Sequence, residues 1–183
     1  MKKLRFTQFG NPILRRVARQ LSREEIGSVE VQELIRDMRY TVEQRKSGVG
    51  IAAPQVGESI ALSLIAIKPT PNRPDREHFE SIIINARYEG IGRRSGMWEG
   101  CISCGKNDNT LFGKAMRYRR IVAYWFDEHG IEHHEILNGF VAHVFQHEAD
   151  HMQGILFVDR VKDPKTYMMA SEYRKRIVQK STG

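Results

Sequence analysis

The chain has 183 residues, 40% of them hydrophobic, which suits one globular domain with a real core. No stretch approaches the roughly 20 apolar residues of a membrane span, and no apolar h-region follows the basic start Met1-Lys2-Lys3-Leu4-Arg5, so the expected compartment is the cytoplasm. A net charge of +7 favours anionic surroundings such as nucleic acid, and the two cysteines, Cys101 and Cys104, are too few and too close for a disulfide scaffold.

Ser28 stands where it can cap a helix running to about Lys46, with Val31, Leu34, Ile35, Met38 and Val42 at helical spacing and Gly48 to end it. Residues 61–67 are short and apolar and read as a strand; 69–76 carry three prolines and read as a loop; 81–85 are a second apolar run. A hairpin is expected from 121–126, a turn at Asp127-Glu128-His129-Gly130, and 131–137. A helix follows between a cap at Asn138 and a stop at Gly154, with Phe140, Val141, Val144, Phe145, Glu148 and Met152 sharing one face. Residues 155–158 return as a strand, and Asp163-Pro164 opens a last helix at about 164–180. The expected fold is α+β, one domain over 1–183, with short mixed or antiparallel strands packed around the central helix.

That helix carries the chemistry. Gln146-His147-Glu148-Ala149-Asp150-His151 contains His-Glu-x-x-His, and residues four apart lie one turn apart on one face, so both imidazoles reach one ion. The Glu between them sits where it can take a proton from water at the ion. His143 lies one turn earlier, but it and His151 are about 12 Å apart along the axis and cannot share an ion. The pair is 143/147 or 147/151, and only the second encloses Glu148; His143 then lines the pocket or supports the ligands. A further ligand is needed. Cys101, in Trp98-Glu99-Gly100-Cys101-Ile102-Ser103, offers a thiolate suited to a borderline divalent ion, and Glu172 is the other candidate.

Three segments together resemble peptide deformylase: Gly48-Val49-Gly50-Ile51-Ala52-Ala53-Pro54-Gln55, Glu99-Gly100-Cys101-Ile102-Ser103, and Gln146 to His151. The resemblance extends from Phe9-Gly10-Asn11-Pro12-Ile13-Leu14 to about Arg160. It implies a hydrolase that removes the formyl group from the N-terminal formyl-methionine of new proteins. Cys101, His147 and His151 would hold the metal, physiologically Fe2+, with Zn2+, Ni2+ or Co2+ as substitutes, and water would take the open fourth position. Glu148 would be general base and then acid. Gln55 and the backbone N–H of Ile102 would hold the oxyanion, Gly50 and Gly100 the substrate backbone, and Val49, Met97, Phe140 and His143 the methionine side chain. Here Cys104-Gly105-Lys106 stands where the family commonly has an aliphatic residue, Pro and Gly. His143 stands where Arg or Ile is common, and Ala86 where Pro often follows Asn.

The same residues admit other readings. Cys101-x-x-Cys104 with His147 and His151 would make a closed Cys2His2 zinc site, but the roughly 40-residue gap is far from a finger's dozen and Glu148 would have no task. A zincin peptidase would need a clear downstream ligand, and a relative without activity would only bind peptides. The expected partners are formyl-methionyl nascent peptides and, through the basic last helix with Lys165, Arg174, Lys175, Arg176 and Lys180, the ribosome; no membrane is expected, and the chain is expected to be a monomer.

Overall fold

In the computed structural model, which describes residues 1–45, 48–69 and 77–179, the strands make one sheet in which every paired neighbour is antiparallel. Across it lie β1 (Gly50–Ala52), β2 (Leu62–Ile67), β3 (Phe79–Gly100), β4 (Leu111–Phe126) and β5 (Glu132–Asn138), in that order, and β6 (Met168–Met169) pairs with the start of β4. The helices are α1 (Arg23–Ile26), α2 (Val29–Glu43), α3 (Gly139–Met152) and α4 (Ala170–Tyr173). None among the described residues is long and apolar enough to cross a membrane.

The period of two in a strand explains how the sheet separates the helices. On β2, Leu62 and Leu64 join Val31, Ile35 and Met38 of α2 in one core, while Ile65 and Ile67 join Val141, Val144 and Phe145 of α3 in the other. Both faces are covered, so β2 is apolar at every position but the buried Ser63. α2 begins as expected, with Ser28 Oγ accepting from the Val31 N–H, but ends at Glu43, where the Gln44 N–H closes on the Tyr40 carbonyl. Lys46 and most of the 69–76 loop lie outside the described residues.

Two strands are far longer than expected. The run at 81–85 is the start of the 22-residue β3, and the arm at 121–126 is the end of the 16-residue β4. Their outer parts escape an apolar pattern because little core faces them; instead the Tyr118 ring lies against Gly90, with Arg94 over it at 4.8 Å. Shifts in register at Ile84/Arg87 and Ile91/Arg94 bend the pair. At the first of them Asn85 has φ 52, and its side chain accepts from the Leu21 N–H and donates to the Leu21 carbonyl.

α3 is buried on most sides and stops where expected: Gly154 has φ +70, and a Cβ there would lie 2.6 Å from the Arg15 carbonyl oxygen. Asn138 takes the cap position without a side-chain cap bond. Residues 155–158 are not a strand. Asp159 accepts from the Leu156 N–H at 2.8 Å and closes the single 3-10 turn Phe157–Arg160, which buries Leu156 and Phe157 side by side. The last helix does not run unbroken over 164–180 either. Asp163 caps only the turn Pro164–Thr166; Met168 and Met169 then pair with β4, and helix resumes as α4, widening into a π turn at Arg174–Val178. The Tyr167 hydroxyl donates to the Val158 carbonyl at 3.0 Å, and with that pairing it holds the chain extended between the two helical pieces.

Candidate metal centre

α3 carries His147, Glu148 and His151 into the buried side of the sheet, and the turn after β3 brings Cys101 to meet them. Cys101 Sγ and one ring nitrogen each of His147 and His151 lie within 4.8 Å of one another. The two Nε2 atoms are 3.2 Å apart, and Cys101 Sγ is 3.4 Å from His151 Nε2. Neither His143, Cys104 nor Glu172 belongs to this cluster. His143 Nε2 instead donates to Glu99 at 2.7 Å, and Glu172 is paired with Arg176 at the surface.

The donors fit a divalent ion. His147 Nδ1 donates to Glu99 Oε1 at 2.5 Å, which fixes the tautomer that offers Nε2 to the cluster. Burial pushes His151 well below the ordinary histidine range, so its ring is neutral, as a ligand must be. The Cys104 thiol and burial push Cys101 well above its usual range, a shift that a cation beside the sulfur reverses. One thiol and two imidazoles suit borderline ions of the zinc and iron group.

Glu148 is 3% exposed, and its Oε2 has no hydrogen-bond partner among the described residues. Burial pushes its carboxyl up to about 7 against the opposing pull of His147. A Cβ on Gly50 would lie 2.3 Å from Glu148 Oε1, so the bare backbone of β1 is what leaves room for this carboxylate. Gln55 follows on the 3-10 turn Ala53–Val56. The Ala52 N–H holds its Oε1 at 2.8 Å, which turns its amide NH2 toward Cys101 Sγ (3.3 Å) and Ser103 Oγ (3.2 Å). Ile102 follows Cys101 in the turn after β3, its carbonyl accepting from Gln8 Nε2 at 3.0 Å.

The remaining expected residues flank this centre. Val49, Met97 and Phe140 are half-buried; Gly100 presents a flat face to the Phe112 ring, which a Cβ would meet at 2.7 Å. His143 is 5% exposed with its polar edge committed to Glu99, and the Phe140 ring stands edge-on to it.

Sequence reasoning missed what stands behind the three candidate donors. Arg117, 1% exposed, donates through Nε and Nη2 to both oxygens of Glu99 and through Nη1 to Asp150, which also accepts from Arg160. Burial alone would raise the Glu99 carboxyl, but the charges of His147 and Arg117 and two imidazole hydrogen bonds outweigh it and hold Glu99 well below the usual carboxylate range. Glu99 lies in the same short segment as Cys101, and Arg117 opens the basic run Arg117-Tyr118-Arg119-Arg120, whose composition resembles a solvated surface.

Residues 3–167 match the family model described as polypeptide deformylase. A peptide deformylase of Leptospira biflexa is 37% identical over 168 residues, covering 87% of this chain and 88% of that protein. Peptide deformylase 2 of a Nostoc species is 36% identical over 178 residues, covering 96% and 94%. Among solved structures, the Met-Ala-Ser-bound class I type b peptide deformylase of Acinetobacter baumannii superposes with a TM-score of 0.79 at 31% identity, covering 87% of this chain and 99% of that one. The chain belongs to the polypeptide deformylase family.

Proposed function

We propose that this chain removes the formyl group from the N-terminal formyl-methionine of new proteins through Cys101, His147, His151 and Glu148. Family membership carries the activity, since peptide deformylases are metal-dependent hydrolases. The observation that supports these residue roles best is the buried Glu148 carboxylate, with an unpartnered oxygen, lying over the bare backbone of Gly50 beside three converging donors.

Cys101, His147 and His151 hold one ion, physiologically Fe2+, with Zn2+, Ni2+ or Co2+ able to replace it. Such an ion polarises a carbonyl oxygen and eases the ionisation of water. Glu148 accepts the proton from the attacking water and delivers it to the leaving amine. The Gln55 amide and the Ile102 N–H donate to the developing oxyanion, each worth roughly 3 kcal/mol in comparable sites. β1 lies at the edge of the sheet, so a substrate strand can add beside Gly50, with Gly100 opposite. Val49, Met97 and Phe140 wall the slot for the methionine side chain, and His143 closes its floor.

Formate release from formyl-Met-Ala-Ser by the iron-loaded protein tests this reading. Because His143 is committed to Glu99, the slot reads shape and not charge. Formyl-methionine peptides are expected to exceed formyl-alanine and formyl-glutamate peptides by at least about 10-fold in kcat/KM, the scale of a filled apolar pocket. A preference for the glutamate peptide would overturn the pocket assignment.

The enzyme works as a cytoplasmic monomer that visits the ribosome through its C-terminal segment. Lys165 and Lys175 carry the contact there. Arg174 and Arg176, though exposed as well, are engaged with Asp108 and Glu172, and Lys180 lies outside the described residues. Truncation would also remove Tyr173, whose ring stacks on Phe112 at 4.3 Å, so charge reversal is the cleaner test. Lys165→Glu with Lys175→Glu is expected to weaken co-sedimentation with ribosomes at low salt severalfold. Equal sedimentation by the two proteins would remove this segment from consideration.

A further inference from the structure

Cys104 has no part in the mechanism above, yet it is held against a metal ligand. The Cys104 N–H donates to the Cys101 carbonyl at 2.9 Å, closing a four-residue turn. The ends of such a turn lie within about 7 Å, and a disulfide spans Cα atoms about 4.4–6.8 Å apart. The two side chains share one buried cluster with Phe157. The turn is fixed on its far side as well, because the Leu111 N–H donates to the Cys104 carbonyl at 2.8 Å. Both cysteines are buried, at 3% and 6% exposure, and free. Cys104 also lines a cavity of about 390 Å³ with Phe9, Gly105, Leu111, Val158 and Tyr167, which gives a small oxidant a way in.

We propose that Cys101 and Cys104 form a peroxide-sensitive pair whose disulfide removes a ligand from the centre and switches the enzyme off reversibly. The inference rests on Cys101 being a metal ligand. Hydrogen peroxide is the oxidant. The Cys104 thiolate attacks one peroxide oxygen and the O–O bond breaks, giving Cys104 sulfenic acid and hydroxide. The Cys101 thiolate then attacks the Cys104 sulfur, the S–O bond breaks, and a second hydroxide leaves. Peroxide is reduced by two electrons, the cysteine pair is oxidised by two, and Cys101 no longer has a lone thiolate to offer the ion. The partner protects Cys101, because condensation to a disulfide competes with further oxidation to sulfinic and sulfonic acids, which thiols do not reverse.

The test uses zinc-loaded protein, since zinc has no redox chemistry of its own. Wild type and Cys104→Ser are treated with hydrogen peroxide. Released zinc is measured with a colorimetric chelator, and the cysteine peptide is examined by mass spectrometry before and after dithiothreitol and fresh zinc. Wild type is expected to release zinc together with formation of the Cys101–Cys104 disulfide, and to recover its zinc fully on reduction. Cys104→Ser is expected to bind zinc normally at the outset but to lose it permanently, with Cys101 carried to sulfinic or sulfonic acid. Over-oxidised Cys101 and no disulfide in wild type would overturn the proposal while leaving the ligand assignment intact. A disulfide formed with zinc still bound would overturn the ligand assignment, and the switch with it.

Discussion

Glu148→Gln is expected to keep its metal and lose at least about 100-fold in formate release, the lower end of what a positioned acid–base group contributes. The amide keeps the shape of the side chain and therefore its place over Gly50, where a Cβ would already collide at 2.3 Å. It cannot accept the proton from water or hand one to the leaving amine. The donors of the centre, Cys101, His147 and His151, are untouched, and so is Glu99, which orients His147. Metal content per chain and turnover should therefore separate, with one ion retained and activity gone. Unchanged turnover would sink the general-base role. Lost metal would instead make Glu148 a ligand or an essential support of one.

The parts of this molecule that are local in the chain were legible from it. His147, Glu148 and His151 announce themselves because one turn of helix brings them together, whereas Cys101 stood beside Glu172 as a candidate until the resemblance to peptide deformylase singled it out. The pairing of 147 with 151 follows the same short-range logic. What was missed is held by long-range partners. Residues 155–158 are apolar enough for a strand, but the Ile155 N–H goes to the Asp150 carbonyl, Asp159 caps the Leu156 N–H, and no strand among the described residues pairs with them. The expected helix at 164–180 is interrupted because Met168 and Met169 find an edge of β4 that no local pattern reveals. Arg117 is the most instructive case. It sits in Arg117-Tyr118-Arg119-Arg120, which looks like solvated charge, yet Gly113, Ala115 and Arg117 alternate inward on β4. Counting by two along that strand would have flagged a buried arginine. Its partners, Glu99 and Asp150, lie 18 and 33 residues away, out of reach of any spacing rule.

Arg117→Met should cost about 3–5 kcal/mol of stability, the usual result of removing one partner from a buried charge network. The guanidinium binds Glu99 through two parallel bonds, at 3.0 and 2.8 Å, and reaches Asp150 with its remaining nitrogen. Methionine fills much of the volume, so packing loss is small and the deficit reports on charge. Asp150 keeps Arg160 as a partner, whereas Glu99 keeps only two imidazoles, which must now carry its whole negative charge in a buried site. A chain of this size loses roughly 2–4 °C in Tm per kcal/mol, so thermal unfolding of the metal-free protein should fall by about 6–20 °C. Arg117→Lys should recover little, because an ammonium cannot make the paired contact to one carboxylate while reaching a second. The effect should extend to the centre itself. With Glu99 released from Arg117, the carboxylate that aims His147 Nε2 is less firmly placed, and metal affinity should fall by about 10–100-fold, as for other partners of metal-binding histidines. Measured in the folded protein at low temperature, that loss is separate from the stability deficit. A variant that unfolds early but binds metal as tightly as wild type would confine Arg117 to holding the fold, and one that melts within a degree of wild type would show that the buried network contributes little.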